Sequence, residues 1–148
     1  SENPANARTL DHTGTCGCCN RNVKLRPEGT MWDHGYMIGG KGSKGYSCFR
    51  VGSCFGVGYQ PIEVSPEVWD AMLQHMHMRV AALPAAIDAN NKWLAENPWT
   101  EENKKLVSAK QWNLREITGE LKRLPREIKE LTSRRNAWTA RPLPQVKP

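Results

Sequence analysis

The chain has 148 residues, 39% hydrophobic and 24% charged, with a formal net charge of +6, the size of one ordinary domain or of a small module carrying an appendage. Its longest apolar stretch, Val80 to Ile87, is eight residues long and contains Pro84, far short of the roughly 20 residues that cross a bilayer, so no membrane anchor is expected. The polar start, Ser1 to Asn6, lacks the charged beginning and apolar centre of a signal peptide, and a cytoplasmic protein is expected. In such a reducing compartment the five cysteines suit a metal better than a disulfide framework.

Residues 1–11 are polar and aperiodic and are expected to form a flexible arm. Residues 12–64 hold all five cysteines and 11 of the 12 glycines, with no helical period, so loops and short strands are expected there. Cys16 and Cys19 have the two-residue spacing that lets two thiolates on one tight turn reach a single ion, with Gly17 easing the turn and Cys18 pointing away. The remaining ligands must come from His34, Cys48 and Cys54, with His12 more remote. His34 ends a strand-like run before Gly35, and Asp33 or a backbone carbonyl is expected to fix its tautomer. Cys54 lies between Gly52 and Gly56, which allow a second knuckle, whereas Cys48 between Tyr46 and Phe49 reads as a packed strand residue. The expected set is Cys16, Cys19, His34 and Cys54, with Cys48 replacing His34 as the alternative. Four protein ligands leave no position for water, so a zinc ion held this way is structural. It offsets the deficit of a roughly 50-residue region too small to bury a core.

The same region carries charge. Arg21, Lys24, Arg26, Lys41, Lys44 and Arg50 interleave with Tyr36, Tyr46 and Phe49 on a glycine-rich surface, a combination that holds phosphates and stacks bases or else is a solvated loop. Gly35, Gly40 and Lys41 have the spacing of a phosphate-binding loop, but Gly42 stands where a magnesium-holding Ser or Thr belongs, and nucleotide hydrolysis is not expected.

The knuckle, the His34-Gly35-Tyr36 step, and the run Gly52-Ser53-Cys54-Phe55-Gly56 leading through Pro61-Ile62-Glu63-Val64-Ser65 to a helix resemble small zinc-finger-like proteins of mobile genetic elements, such as phages and plasmids. The likeness covers residues 14 to about 70. It implies a zinc site and a phage or plasmid setting, and it implies no activity. Cys18 and Cys48 are additional to that pattern.

Ser65, Pro66 and Glu67 supply an N-cap, a proline at the first helical position and an acid in the first turn, so a helix starts there. Trp69, Leu73, Met76, Val80, Leu83, Ile87, Asn90 and Leu94 alternate spacings of four and three, the repeat of a coiled-coil seam. Asn97 and Pro98 turn the chain, and Thr100 followed by Glu101 and Glu102 opens a second helix. Its seam is Val107, Lys110, Leu114, Ile117, Leu121, Leu124, Ile128, Leu131, Arg135 and Trp138, ending before Pro142 and Pro144. Residues 65–141 thus form an antiparallel hairpin, followed by a flexible tail, 142–148. A turn centred on 97–100 puts Leu83 opposite Leu114, Val80 opposite Ile117, Met76 opposite Leu121 and Trp69 opposite Ile128. Pro84 and Pro125 are expected to bend or break their helices. His75 and His77, two residues apart, fall on different faces and make no helical metal site.

The fold class is therefore α+β: a small zinc-bound β/loop module followed by a long antiparallel two-helix coiled coil. Two helices leave Trp93, Trp99 and Trp112 without a third surface, so the cysteine module, a second copy or another protein is expected to cover them. Trp69, Met76, Leu83, Trp93, Trp99, Trp112, Leu121, Ile128 and Trp138 are the candidates for partner binding or self-association. No Ser-His-Asp, Cys-His or paired-carboxylate arrangement supports catalysis, and no small-molecule substrate is expected. The leading expectation is a non-enzymatic, zinc-stabilised adaptor that binds a protein or assembles with itself. The rival is a nucleic-acid-binding protein using the glycine-rich basic loop and the basic second helix, since residues 98–148 carry +6 against +2 for 1–64 and −2 for 65–97.

Overall fold

A computed structural model describes residues 12–38 and 49–144. The arm 1–11, together with Lys41, Lys44 and Cys48, lies outside the described residues, as do residues 145–148. The architecture is α+β: two small antiparallel sheets followed by two long helices.

Strand β1 (Thr13–Thr15) pairs with β2 (Asn22–Lys24), Gly14 opposite Val23. Strand β3 (Gly35–Ile38) pairs with β4 (Phe49–Ser53), Gly35 opposite Ser53, with a register shift between Tyr36 and Met37. Three-residue strands this short cannot hold a sheet by pairing alone. What they enclose is a cluster of Cys16, Val23, Leu25, Met31 and Cys54, with Val57, Tyr59 and Leu143 packed against it. Gly14 makes that closure possible, because a β carbon there would lie 2.2 Å from the Pro61 side chain.

The buried Glu63 ties β1 down. Its carboxylate accepts the Thr15 amide at 2.8 Å and the Thr15 hydroxyl at 2.6 Å, while the Ile62 amide donates to the Thr15 carbonyl at 2.9 Å. Hydrogen bonds to a buried charged group contribute about 1.5–3 kcal/mol each, so this acid is a structural clamp.

Helix α1 (Glu67–Glu96) begins as its sequence dictates, with the Ser65 hydroxyl accepting the Glu67 amide at 3.1 Å. Helix α2 (Lys104–Asn136) is preceded by a reciprocal cap in which Thr100 and Asn103 each accept the other's amide, at 3.1 and 2.7 Å. Between them, Leu83, Ile117 and Leu124 are buried, with Met76, Val80, Ile87, Leu121 and Ile128 packed around them. Arg79 closes one flank of the hairpin with a bidentate pair to Glu120 at 2.7 and 2.5 Å.

Of the expected bend or break at each proline, the break does not occur: α1 runs through Pro84 and α2 through Pro125. Both proline rings face solvent while the adjacent Leu83 and Leu124 are buried, so packing carries each helix across its missing bond. The connection occupies residues 97–103; across the hairpin Arg79 pairs with Glu120, and Leu83 shares one buried cluster with Ile117 and Leu124, lined by Met76, Val80 and Leu121.

The chain divides into two compact units, Ser1–Met72 with Arg135–Pro148, and Leu73–Arg134. The boundary expected at residue 65 therefore falls inside α1. The reason is local packing: Val68 is fully buried, and the Trp69 indole donates to the Gly17 carbonyl at 3.0 Å. The end of the chain belongs to the first unit as well, since the Trp138 indole donates to the Ile62 carbonyl at 2.6 Å and the Arg141 amide to the Glu63 carbonyl at 3.0 Å. Leu143 joins the first core, so the expected tail is packed as far as Pro144, whose carbonyl accepts the Thr13 amide at 3.4 Å.

Candidate metal centre

The loop closing the β1–β2 hairpin, residues 16–21, is a knuckle. The Cys16 amide donates to the Arg21 carbonyl at 3.0 Å and the Asn20 amide to the Cys16 carbonyl at 2.8 Å, with Asn20 at φ 62° completing the turn. The turn leaves Cys16 and Cys19 on one side. The Cys18 amide donates to the Cys16 sulfur at 3.4 Å, which spreads charge from a thiolate.

The second pair comes from the other hairpin. The Cys54 amide donates to the His34 carbonyl at 2.8 Å, and the Val57 amide closes a turn onto the Cys54 carbonyl at 3.2 Å. The ligand atoms of Cys16, Cys19, His34 and Cys54 consequently all lie within 4.8 Å of one another, close enough to hold a metal ion. These are the four residues expected from sequence. His12 is not in the cluster.

The histidine is set up to ligate. Its Nδ1 lies 2.7 Å from the Trp32 carbonyl, which can only accept, so the proton sits on Nδ1 and the lone pair on Nε2. Nε2 is buried and has no hydrogen-bond partner, an arrangement that costs about 1–3 kcal/mol unless something electrophilic meets it. A backbone carbonyl thus fixes the tautomer, as anticipated.

The thiols respond to the same enclosure. Burial pushes the Cys16 thiol up to about 12, with Cys19 adding to the rise. Burial also raises Cys18, to about 11, and the neighbouring Cys54 adds to it. Cys19 is raised by burial too, but the Arg21 guanidinium, the Arg21 backbone and the Cys16 and Cys54 thiols outweigh that and hold it down at about 6. Arg21 Nε lies 3.4 Å from the Cys19 sulfur, and its other arm donates to the Gly35 carbonyl. A cation would displace the remaining protons, since the thiolate is the ligand form.

No protein-family model, curated protein or solved structure matches this chain. The chemistry must be read from the residues themselves.

Of the expected basic residues, Arg21 and Lys24 line one open groove with Trp32, and the Arg26 guanidinium lies over the Trp32 ring at 5.9 Å. Arg50 takes a place on β4 opposite Met37. The association candidates separate sharply. Trp69 and Trp138 are spent on backbone carbonyls within the first unit, and Met76, Leu83, Leu121 and Ile128 form the hairpin's own core. Trp93 is covered by the Lys110 ammonium at 5.5 Å, which explains the lysine in the α2 seam. Trp99 and Trp112 remain 57% and 62% exposed. Sequence reasoning passed over Trp32 and Glu63; an isolated aromatic or acid in an aperiodic region gives no local signal, and the partner of Glu63, Thr15, is 48 residues away. Among the described residues, no helix is long and apolar enough to cross a membrane.

Proposed function

We propose that the chain is a non-enzymatic, zinc-stabilised adaptor whose helical hairpin docks a protein partner or a second copy. The observation that carries the zinc assignment is the Cys16–Cys54 sulfur separation of 3.8 Å. With Zn–S bonds of about 2.3 Å, the edge of a regular tetrahedron is about 3.8 Å. Three thiolates and one imidazole are a donor set that zinc favours, and a full shell of four leaves no place for an activated water. The ion then holds together a unit whose core includes two of its ligands, Cys16 and Cys54, and the reading as a binding protein rather than a catalyst follows from that closure.

Docking is supported by Trp99 and Trp112, with Leu106 52% exposed between them in sequence. Exposed tryptophans are the side chains most often found to anchor interfaces. A partner in the bacterial cytoplasm is in keeping with the resemblance to zinc-finger-like proteins of phages and plasmids. The test is capture from nuclease-treated bacterial lysate with wild-type protein and with the Trp99→Ser/Trp112→Ser pair, alongside sedimentation of the purified chain. A partner, or self-association, lost with the pair while zinc is retained supports the adaptor. A monomer that captures the same proteins with either form contradicts it.

A further inference from the structure

We infer that the groove beside the metal centre is a binding site for single-stranded nucleic acid, with Trp32 as the base-stacking platform. This goes beyond the adaptor reading and uses a different unit of the chain. The groove, about 530 Å³, is lined by Arg21, Lys24, Trp32, Asp33 and His34, with Asn22 and Val23 between the two cations in sequence, a size within the range of ligand clefts. Trp32 is 48% exposed, although a tryptophan normally buries most of its large apolar surface. Arg26 lies over one face of the ring, 5.9 Å from its centre, and a ring has a second face to offer a base. Lys24 and Arg21 supply positive charge beside it, and Asp33 offsets one of those charges.

The platform is held rigidly. The Trp32 amide donates to the Lys24 carbonyl at 3.0 Å, and the Trp32 carbonyl receives the His34 Nδ1 proton at 2.7 Å. A metal ligand thus clamps the residue that stacks. Cations beside an exposed, pre-positioned aromatic ring form the combination that binds single strands: phosphates pair with the charges and any base offers a π-face. A duplex keeps its bases stacked on one another and gains nothing from Trp32.

The test is fluorescence anisotropy of a labelled oligothymidylate of about 12 nucleotides, within the span such sites cover, titrated with the zinc-loaded full chain across a salt series. Wild-type binding is expected to weaken with salt, with a log–log slope of about −0.7 for each phosphate neutralised. Trp32→Ala is expected to weaken it at least about fivefold, and Lys24→Ala to reduce the slope by about 0.7. Arg21 is left intact because it also supports Cys19 and Gly35. Zinc content and melting temperature, read in parallel, should match wild type in both variants, since both side chains are exposed. Absence of binding at low salt, equal affinity in Trp32→Ala, or thymidine monophosphate binding as tightly as the oligomer would each overturn the proposal.

Discussion

Gly56 shows how closely the metal centre is fitted. A β carbon at this position would lie 2.3 Å from the Cys16 sulfur and 3.3 Å from the Met31 methyl, so any side chain displaces a ligand or the core beneath it. Gly56→Ala is expected to weaken metal binding at least tenfold, the order of effect produced when groups supporting a ligand are disturbed. Competition with a chromogenic chelator measures this, and an unchanged affinity would mean that the cluster tolerates movement the packing forbids. Cys18 is the contrasting neighbour. It gives its amide to Cys16 but its thiol is outside the cluster, so Cys18→Ser is expected to retain a full equivalent of metal, whereas Cys54→Ser is expected to lose it.

Within the hairpin, the Arg79–Glu120 pair provides a pH-dependent contribution. The Arg79 guanidinium bond is the main cause that holds the Glu120 carboxyl below its ordinary range. Because the folded value is the lower one, the contribution is complete above the unfolded value of about 4.3 and is lost as pH falls through the depressed folded value. Both side chains are partly exposed, 39% and 23%, so solvent screening limits the pair to about 1 kcal/mol or less. Glu120→Gln is expected to lower the melting temperature at pH 7 and leave it nearly level with wild type near pH 3; parallel melting curves at both pH values would show that the pair contributes nothing. The helices and their seams were legible because caps and heptads are local: Ser65 and Pro66 set the start of α1, and Leu83, Ile117 and Leu124 fall on the counted positions. The length of the connection was less legible, because the reciprocal Thr100–Asn103 cap holds residues up to 103 outside α2.

The two units are organised differently, one around a Cys/His cluster close enough to hold a metal ion and the other around an apolar seam. The first combines buried Val23, Leu25, Met31, Ile62 and Val68 with the ligand cluster, the Glu63 clamp and the returning C-terminal segment; the second rests on the seam of Leu83, Val107, Ile117, Leu124 and Leu131. Cys54→Ser should therefore unfold the first unit while most of the helical circular dichroism survives; loss of both signals together would make the chain one cooperative unit. The Cys16/Cys19 pair was legible because a two-residue spacing is itself a chelating geometry. The choice of His34 rested on nothing so local, and in the structure it follows from the Cys54 amide meeting the His34 carbonyl across a hairpin. Nor could spacing reveal that Trp138 reaches Ile62, 76 residues away, so residues 142–144 read as tail although Leu143 packs against the first core. The most direct measurement of the central claim is zinc K-edge X-ray absorption on the purified full chain, with metal content quantified alongside. One zinc per chain is expected, surrounded by three sulfurs at about 2.3 Å and one imidazole nitrogen at about 2.0–2.1 Å. A shell of four sulfurs, or an added oxygen indicating an open position, would contradict it.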